Sequence, residues 1–372
     1  MSNKLLGLSI ILGGNLVGGN IATLKPVRLD SIDIIRGLAI ALMVFTHFYA
    51  YTVYDIHDSV PAILNEFASF LSVPLFYFIV GYTLVISIND KTRKGYSKDE
   101  LMNYVLVRAI LICALGFALG IFQKGMYNGW EWGTLQMIAV GYLCTYFLLP
   151  LSKEIRTIIA TAAILFAFFL APYSSFYQYT GGFNISIFFL GIIFAGGFPF
   201  FPWIAYFILG SVFADIAFTK KNVVMIGFPL TILSIISFIY RRYNPIIKYP
   251  ASLTYNIIWI TGTILVYFTI YWVREIKNAG KTIFYPLKVF GMFSLTIFIA
   301  HFVIGMSLIE LFITSDSLSF TQFLCIYILS FIIITIIGHF WQRTGFKYSI
   351  EWFLQIVSYK ALQKRGPLQK IP

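Results

Sequence analysis

Apolar runs of about twenty residues recur along this chain, and the charged side chains fall in the short stretches between them. That pattern leaves few folds open. In hydrocarbon every backbone N–H and C=O must find a partner inside the protein, and helices satisfy that demand within one segment. Only 11% of the 372 residues are charged, where a soluble domain carries about 25%. The expected fold is an all-α polytopic integral membrane protein with ten or eleven transmembrane helices in one bundle. Ten spans are expected over residues 33–54, 64–88, 101–122, 134–152, 157–173, 200–218, 223–240, 257–273, 289–312 and 321–341. Residues 4–24 are apolar but rich in Gly and Asn, and read as a weak first span, a signal anchor or a signal peptide.

The net charge is +12. In a soluble protein this would point to nucleic acid. Here the basic residues gather in alternate short loops, so the positive-inside rule accounts for them and excludes that partner. Lys91, Arg93, Lys94 and Lys98 form one such loop; Arg274, Lys277, Lys281 and Lys288 form another. The helix beginning near Asp33 is therefore expected to start in the cytoplasm, with residues 55–63 outside. Arg241, Arg242 and Lys248 break the rule; they either bind an acidic acceptor or are a tolerated exception. The connection 174–199 is too apolar for a plain loop and reads as re-entrant or interfacial. Within it, Asn184-Ile-Ser186 is a sequon on the expected outer side. The tail stretch 346–363 has helical periodicity with Trp352 and flanking lysines, as in a helix lying on a membrane surface. Cys113, Cys144 and Cys325 sit in apolar runs without metal-ligand spacing, so no metal is expected.

Ionisable residues concentrate in one stretch, Asp33 to His57, DIIRGLAIALMVFTHFYAYTVYDIH. Arg36 and His47 are eleven positions apart. At about 3.6 residues per turn they share a helix face, roughly 16 Å apart along the axis. Ionisable groups inside a span are costly and mark function by default; the plainer alternative is a headgroup-level anchor at one end and an interfacial histidine at the other. Asp33 can pair with Arg36 across one turn.

The stretch SIDIIRGLAIALMVFTH (31–47) resembles the opening motif of the bacterial and archaeal relatives of heparan-α-glucosaminide N-acetyltransferase. The Arg36-x10-His47 spacing is similar to the signature of the wider transmembrane acyltransferase group. Three further stretches resemble the family in order: VPLFYFIVGYTLVIS (73–87), GTLQMIAVGYL (133–143) and FPFFPWIAYFILG (198–210). GMFSLTIFIAHFVI (291–304) is similar to its C-terminal part. The resemblance covers roughly residues 28–310 and divides the chain into 1–24, a transmembrane acyltransferase-like domain over 25–341, and a cytoplasmic tail, 342–372.

The resemblance implies transfer of an acetyl group from cytoplasmic acetyl-CoA to an amino sugar or other glycan at the outer side of the cell membrane. Its implied partners are the bilayer, acetyl-CoA and the glycan, with a homodimer allowed. Arg36, Arg108 and Lys288 are the candidate donor-binding cations, since arginine forks fit phosphate oxygens. His47 and His57 are the candidate bases, because imidazole titrates near the working pH, and Asp33 accompanies them. The animal lysosomal members carry a histidine further along, near the place of His57 but in a different local sequence, so both histidines stay open. Either could also act as nucleophile. His301, mid-span, reads as a core histidine donating to a carbonyl. Glu66, Glu131, Trp130 and Trp132 are candidate sugar contacts, the tryptophans also fitting an aromatic belt. The competing class is a transporter or translocator of a sugar or lipid-linked substrate, which would leave acetyl-CoA intact.

Overall fold

The computed structural model describes residues 28–53, 59–170, 198–243, 246–248, 251–313 and 318–362, with isolated positions between 186 and 193. The expected segment 4–24, the Asn184 sequon, most of 174–199 and His57 lie outside the described residues. In chain order the helices are α1 (Asp30–Thr52), α2 (Val60–Arg93), α3 (Lys98–Asn128), α4 (Thr134–Leu148), α5 (Lys153–Leu170) and α6 (Phe200–Ala214). They continue with α7 (Lys220–Ile239), α8 (Leu253–Tyr271), α9 (Tyr285–Met292), α10 (Ser294–Phe312), α11 (Phe320–Gln342) and α12 (Ile350–Leu362).

Seven helices among the described residues are long and apolar enough to cross a membrane. The chain is an all-α integral membrane protein. The expected spans over 134–152 and 200–218 are the fifteen-residue helices α4 and α6, shorter than the about 20 residues a bilayer asks of a lipid-facing helix. Burial removes that demand: Trp203 to Ile208 are almost wholly enclosed by protein. The expected span 289–312 is broken at Phe293, so α9 is a separate short helix that packs against α1.

Sequence chemistry places the helix ends. Ser97 accepts from the Glu100 N–H while Glu100 bonds back to the Ser97 N–H, closing the box that starts α3. Ser59 caps α2, whose next residues include Pro61 in the first turn. Between helices, lipid gives no hydrophobic drive, so close backbone approach at small residues holds the bundle together. Two crossings do this. At one, a Cβ on Gly37 would meet the Leu287 carbonyl oxygen at 1.8 Å, and one on Gly291 would meet that of Asp33 at 1.7 Å. At the other, Gly81 and Gly210 lie equally tight against Phe207 and Phe78. These glycines lock α1 to α9 and α2 to α6.

The tail helix α12 forms where expected but is more than a surface helix. It packs along α3 and buries Leu354, Ser358 and Leu362. The reason is Glu351. Its carboxylate accepts from the Leu295 N–H (2.5 Å), the Thr296 N–H (3.2 Å) and the Thr296 hydroxyl (2.5 Å), satisfying the first turn of α10. At the far end of α12 the Lys91 ammonium lies 4.1 Å from the Tyr104 ring centre and 5.2 Å from that of Tyr359.

Candidate active site

α1 carries the first side chains of the site. Near its start Asp33 is buried and accepts from Arg28 Nε (2.6 Å) and Arg36 Nη1 (3.3 Å). Arg36 also donates to the Gly291 carbonyl (3.2 Å). Asp33 thus holds Arg36 in place; it sits in an ion-pair chain and lines neither of the cavities described next. One turn earlier, Asp30 accepts from Lys288 (2.7 Å) and Arg274 (2.9 Å). Lys288 is therefore engaged with α1, and it does not line the cavity that Arg36 and Arg108 share.

Arg36 and Arg108 do come together. Both line a cavity of about 210 Å³ with Thr83, Ser87, Tyr104, Tyr142, Ser294 and Glu351. The Arg108 guanidinium lies 3.5 Å from the Tyr104 hydroxyl. Two guanidinium groups and several hydroxyls facing one small space make it suited to an anionic, hydrogen-bonding guest.

A larger cavity, about 500 Å³, lies on the far side. His47 is in its wall, eleven residues along α1 from Arg36. Lys248, Glu131, Lys124, Asn65, Gln123 and Gln136 line it as well. Glu131 pairs with Lys124. The cluster Arg241, Arg242 and Lys248 divides here. Arg241 stays exposed over the Phe238 ring, whereas Lys248 is buried and donates to the Ser69 carbonyl (2.7 Å) and hydroxyl (2.8 Å). Burial pushes the Lys248 ammonium down to about 7. Asn65 Oδ1 is buried without a hydrogen-bond partner among the described residues. Trp132 is buried in the same wall, its indole N–H given to the Phe198 carbonyl at 2.7 Å, so it is part of the scaffold rather than of an aromatic belt. Glu66 is exposed and outside the lining.

The two cavities stand back to back. The same helices wall both: α1 through Arg36 and His47, α2 through Phe76 and Val73, α3 through Ile112 and Gly116, α10 through Leu295 and Phe298. Gly116 and Ile112 are four residues apart, about 6 Å of helix, so roughly one helical turn of protein separates the two spaces.

His47 is paired with a second histidine. Its Nδ1 lies 2.9 Å from Nε2 of His301, and the rings are near-parallel, 12° apart. His301 Nδ1 is 3.2 Å from the Ile297 carbonyl, which can only accept. The network therefore assigns the protons: His301 carries its proton on Nδ1, its Nε2 accepts from His47 Nδ1–H, and His47 keeps a lone pair on Nε2. His301 opens a π-helical turn, His301–Met306, within α10; such single wide turns are frequent at functional sites. The sequence reading of His301 as a donor to a carbonyl describes one nitrogen and misses the other. The missed signal was a second histidine in a family-like block. Glu351 was missed, and of the cluster Arg241, Arg242 and Lys248 the sequence could not tell which member is buried, because burial depends on contacts from distant parts of the chain.

No curated protein matches the chain. The family model described as heparan-alpha-glucosaminide N-acetyltransferase, catalytic, matches residues 28–243. That stretch holds Asp33, Arg36, His47 and Arg108, while Lys248, His301 and Glu351 lie beyond it. With more than half of its length matched, and with an all-α membrane fold, the chain belongs to the heparan-α-glucosaminide N-acetyltransferase family of membrane acetyltransferases.

Proposed function

We propose that this protein takes an acetyl group from cytoplasmic acetyl-CoA bound at the smaller cavity and passes it to the amine of an amino sugar or related glycan in the larger one. The observation that carries this reading is the pair of cavities, one lined by two arginines and the other by a histidine with an open lone pair, a single helical turn apart. The Arg36 side is assigned to the cytoplasm because Arg28, Lys91, Arg93, Lys94 and Lys98 crowd that end. The larger cavity then faces the outside of the cell membrane. The smaller cavity accommodates the pantetheine end of the donor, and the nucleotide phosphates remain at its mouth, within reach of Arg108 and Arg36.

In this scheme the acceptor amine nitrogen attacks the thioester carbonyl carbon. His47 Nε2 removes the amine proton as the C–N bond forms. The tetrahedral intermediate collapses, the C–S bond breaks, and the CoA thiolate takes the proton from the imidazolium. The products are the N-acetyl sugar and free CoA thiol, and no further reactant is needed. His301 accepts the hydrogen bond from His47 Nδ1, fixing the tautomer and supporting the positive charge, the role a carboxylate fills in a serine protease triad. Asn65 and Glu131, both in the lining, supply acceptors for the sugar's donors.

The test is direct. Purified protein is given labelled acetyl-CoA with glucosamine, its phosphates or lipid-linked amino sugars. Labelled N-acetyl product and stoichiometric CoA thiol are expected. Acetyl-CoA recovered intact with every acceptor, while a sugar moves across the membrane, would replace this reading with a transporter.

A further inference from the structure

The wall between the cavities has one member that touches both. Leu135, in the first turn of α4, lines the smaller cavity beside Ile138 and Tyr142, and the larger one beside Gln136. Among the described residues no other side chain lines the two. It is 2% exposed, so its isobutyl group fills the wall. Its backbone cannot back away towards α3, because the helices already touch there. A Cβ on Gly116 would come to 2.9 Å from Leu135 Cβ and 2.8 Å from Gln136 Oε1. Phe76, Ile112 and Phe298, which also line one space or the other, are apolar.

A thioester reaching from one cavity to an amine in the other must place its acyl group at this wall. We infer that Leu135 sets the length of the acyl chain this enzyme transfers, its side chain leaving room for an acetyl methyl and colliding with longer chains. The inference rests on the two-cavity reading above. Chemistry at the thioester is unchanged: the same C–S bond breaks and the same C–N bond forms whatever the chain. Only the apolar space for the remaining carbons differs. One methylene in such a space discriminates about 10–200-fold.

The experiment measures CoA thiol release from acetyl-, propionyl- and butyryl-CoA with an amino sugar acceptor, for the full chain in detergent. The wild-type protein is expected to favour acetyl over butyryl by at least about tenfold in kcat/KM. Leu135→Ala is expected to lower that ratio about tenfold or more, with Leu135→Val in between. If the alanine variant does not fold, the valine variant decides. Butyryl used as well as acetyl by the wild type overturns the inference, and so does a wild-type ratio retained in both variants. Absence of turnover from any donor overturns the acetyltransferase reading itself, a different failure from a misassigned Leu135.

Discussion

Replacing His301 by phenylalanine keeps an aromatic ring in α10 and removes the nitrogen that holds His47. In the wild type His47 Nδ1 and His301 Nε2 are 2.9 Å apart, a full-strength hydrogen bond by distance. In the proposed transfer His47 becomes an imidazolium, and this bond becomes charge-assisted. Hydrogen bonds to charged groups contribute about 1.5–3 kcal/mol. At about 1.4 kcal/mol per tenfold in rate, His301→Phe should lower kcat roughly 10- to 150-fold. That loss is smaller than the about 10²–10⁴-fold expected of His47→Ala, which removes the base. KM for acetyl-CoA should hardly move, because His301 lies outside the donor cavity. His301→Gln, which restores an acceptor, should recover part of the loss. The assay is steady-state CoA thiol release with glucosamine, with donor binding measured separately. A His301→Phe enzyme with wild-type kcat would refute the relay, whatever His47 does.

Other expectations follow from other parts of the molecule. Arg36→Ala and Arg108→Ala should each weaken acetyl-CoA binding about ten- to a hundredfold by loss of a charge-assisted hydrogen bond, read by titration calorimetry, whereas Lys288→Ala, whose cation pairs with Asp30, should leave binding close to wild type. Gly291→Ala drives a methyl onto the Asp33 carbonyl and should cost about 1–3 kcal/mol or more, seen as a lower Tm in detergent, while Gly262→Ala, with its nearest neighbour at 3.6 Å, should be mild. Lys248 has its folded pKa lowered to about 7 from 10.5, so between those values the unfolded chain holds a proton that the folded one lacks, and stability should rise with pH there. Lys248→Met should lose that rise, so the Tm difference between wild type and variant should change across pH 7–10 and stay flat below.

The fold was largely legible because its cause is local. Apolar length, the cap at Ser97 and the basic loops are properties of contiguous residues, and they place α1, α2, α3, α7, α8 and α11. What was not legible depends on enclosure. α6 reads as a span over 200–218 and is a fifteen-residue helix enclosed by its neighbours. The broken start of α10 comes from Phe293, whose non-helical backbone no apolar count reveals. The shared helix of Arg36 and His47 was legible from their fixed spacing, but the separate cavities that they line were not. Arg108 was found as a helical cation near the basic end. Lys288, chosen by the same reasoning, forms an ion pair with Asp30, which spacing does not reveal. His301, Lys248 and Glu351 are far from α1 in the sequence, and only packing brings them to the cavities.

The central claim is that the two cavities are the two substrate sites of one enzyme, with chemistry at the wall between them. The most direct measurement uses proteoliposomes with glucosamine sealed inside and labelled acetyl-CoA added only outside. Molecules with the Arg36–Arg108 end outward should then acetylate the trapped sugar, and luminal N-acetylglucosamine should appear in step with external CoA thiol. The same vesicles with His47→Ala should bind acetyl-CoA equally well and form about 10²–10⁴-fold less product. Product formed only when donor and acceptor share one side, or a His47→Ala rate equal to the wild type, would contradict the account.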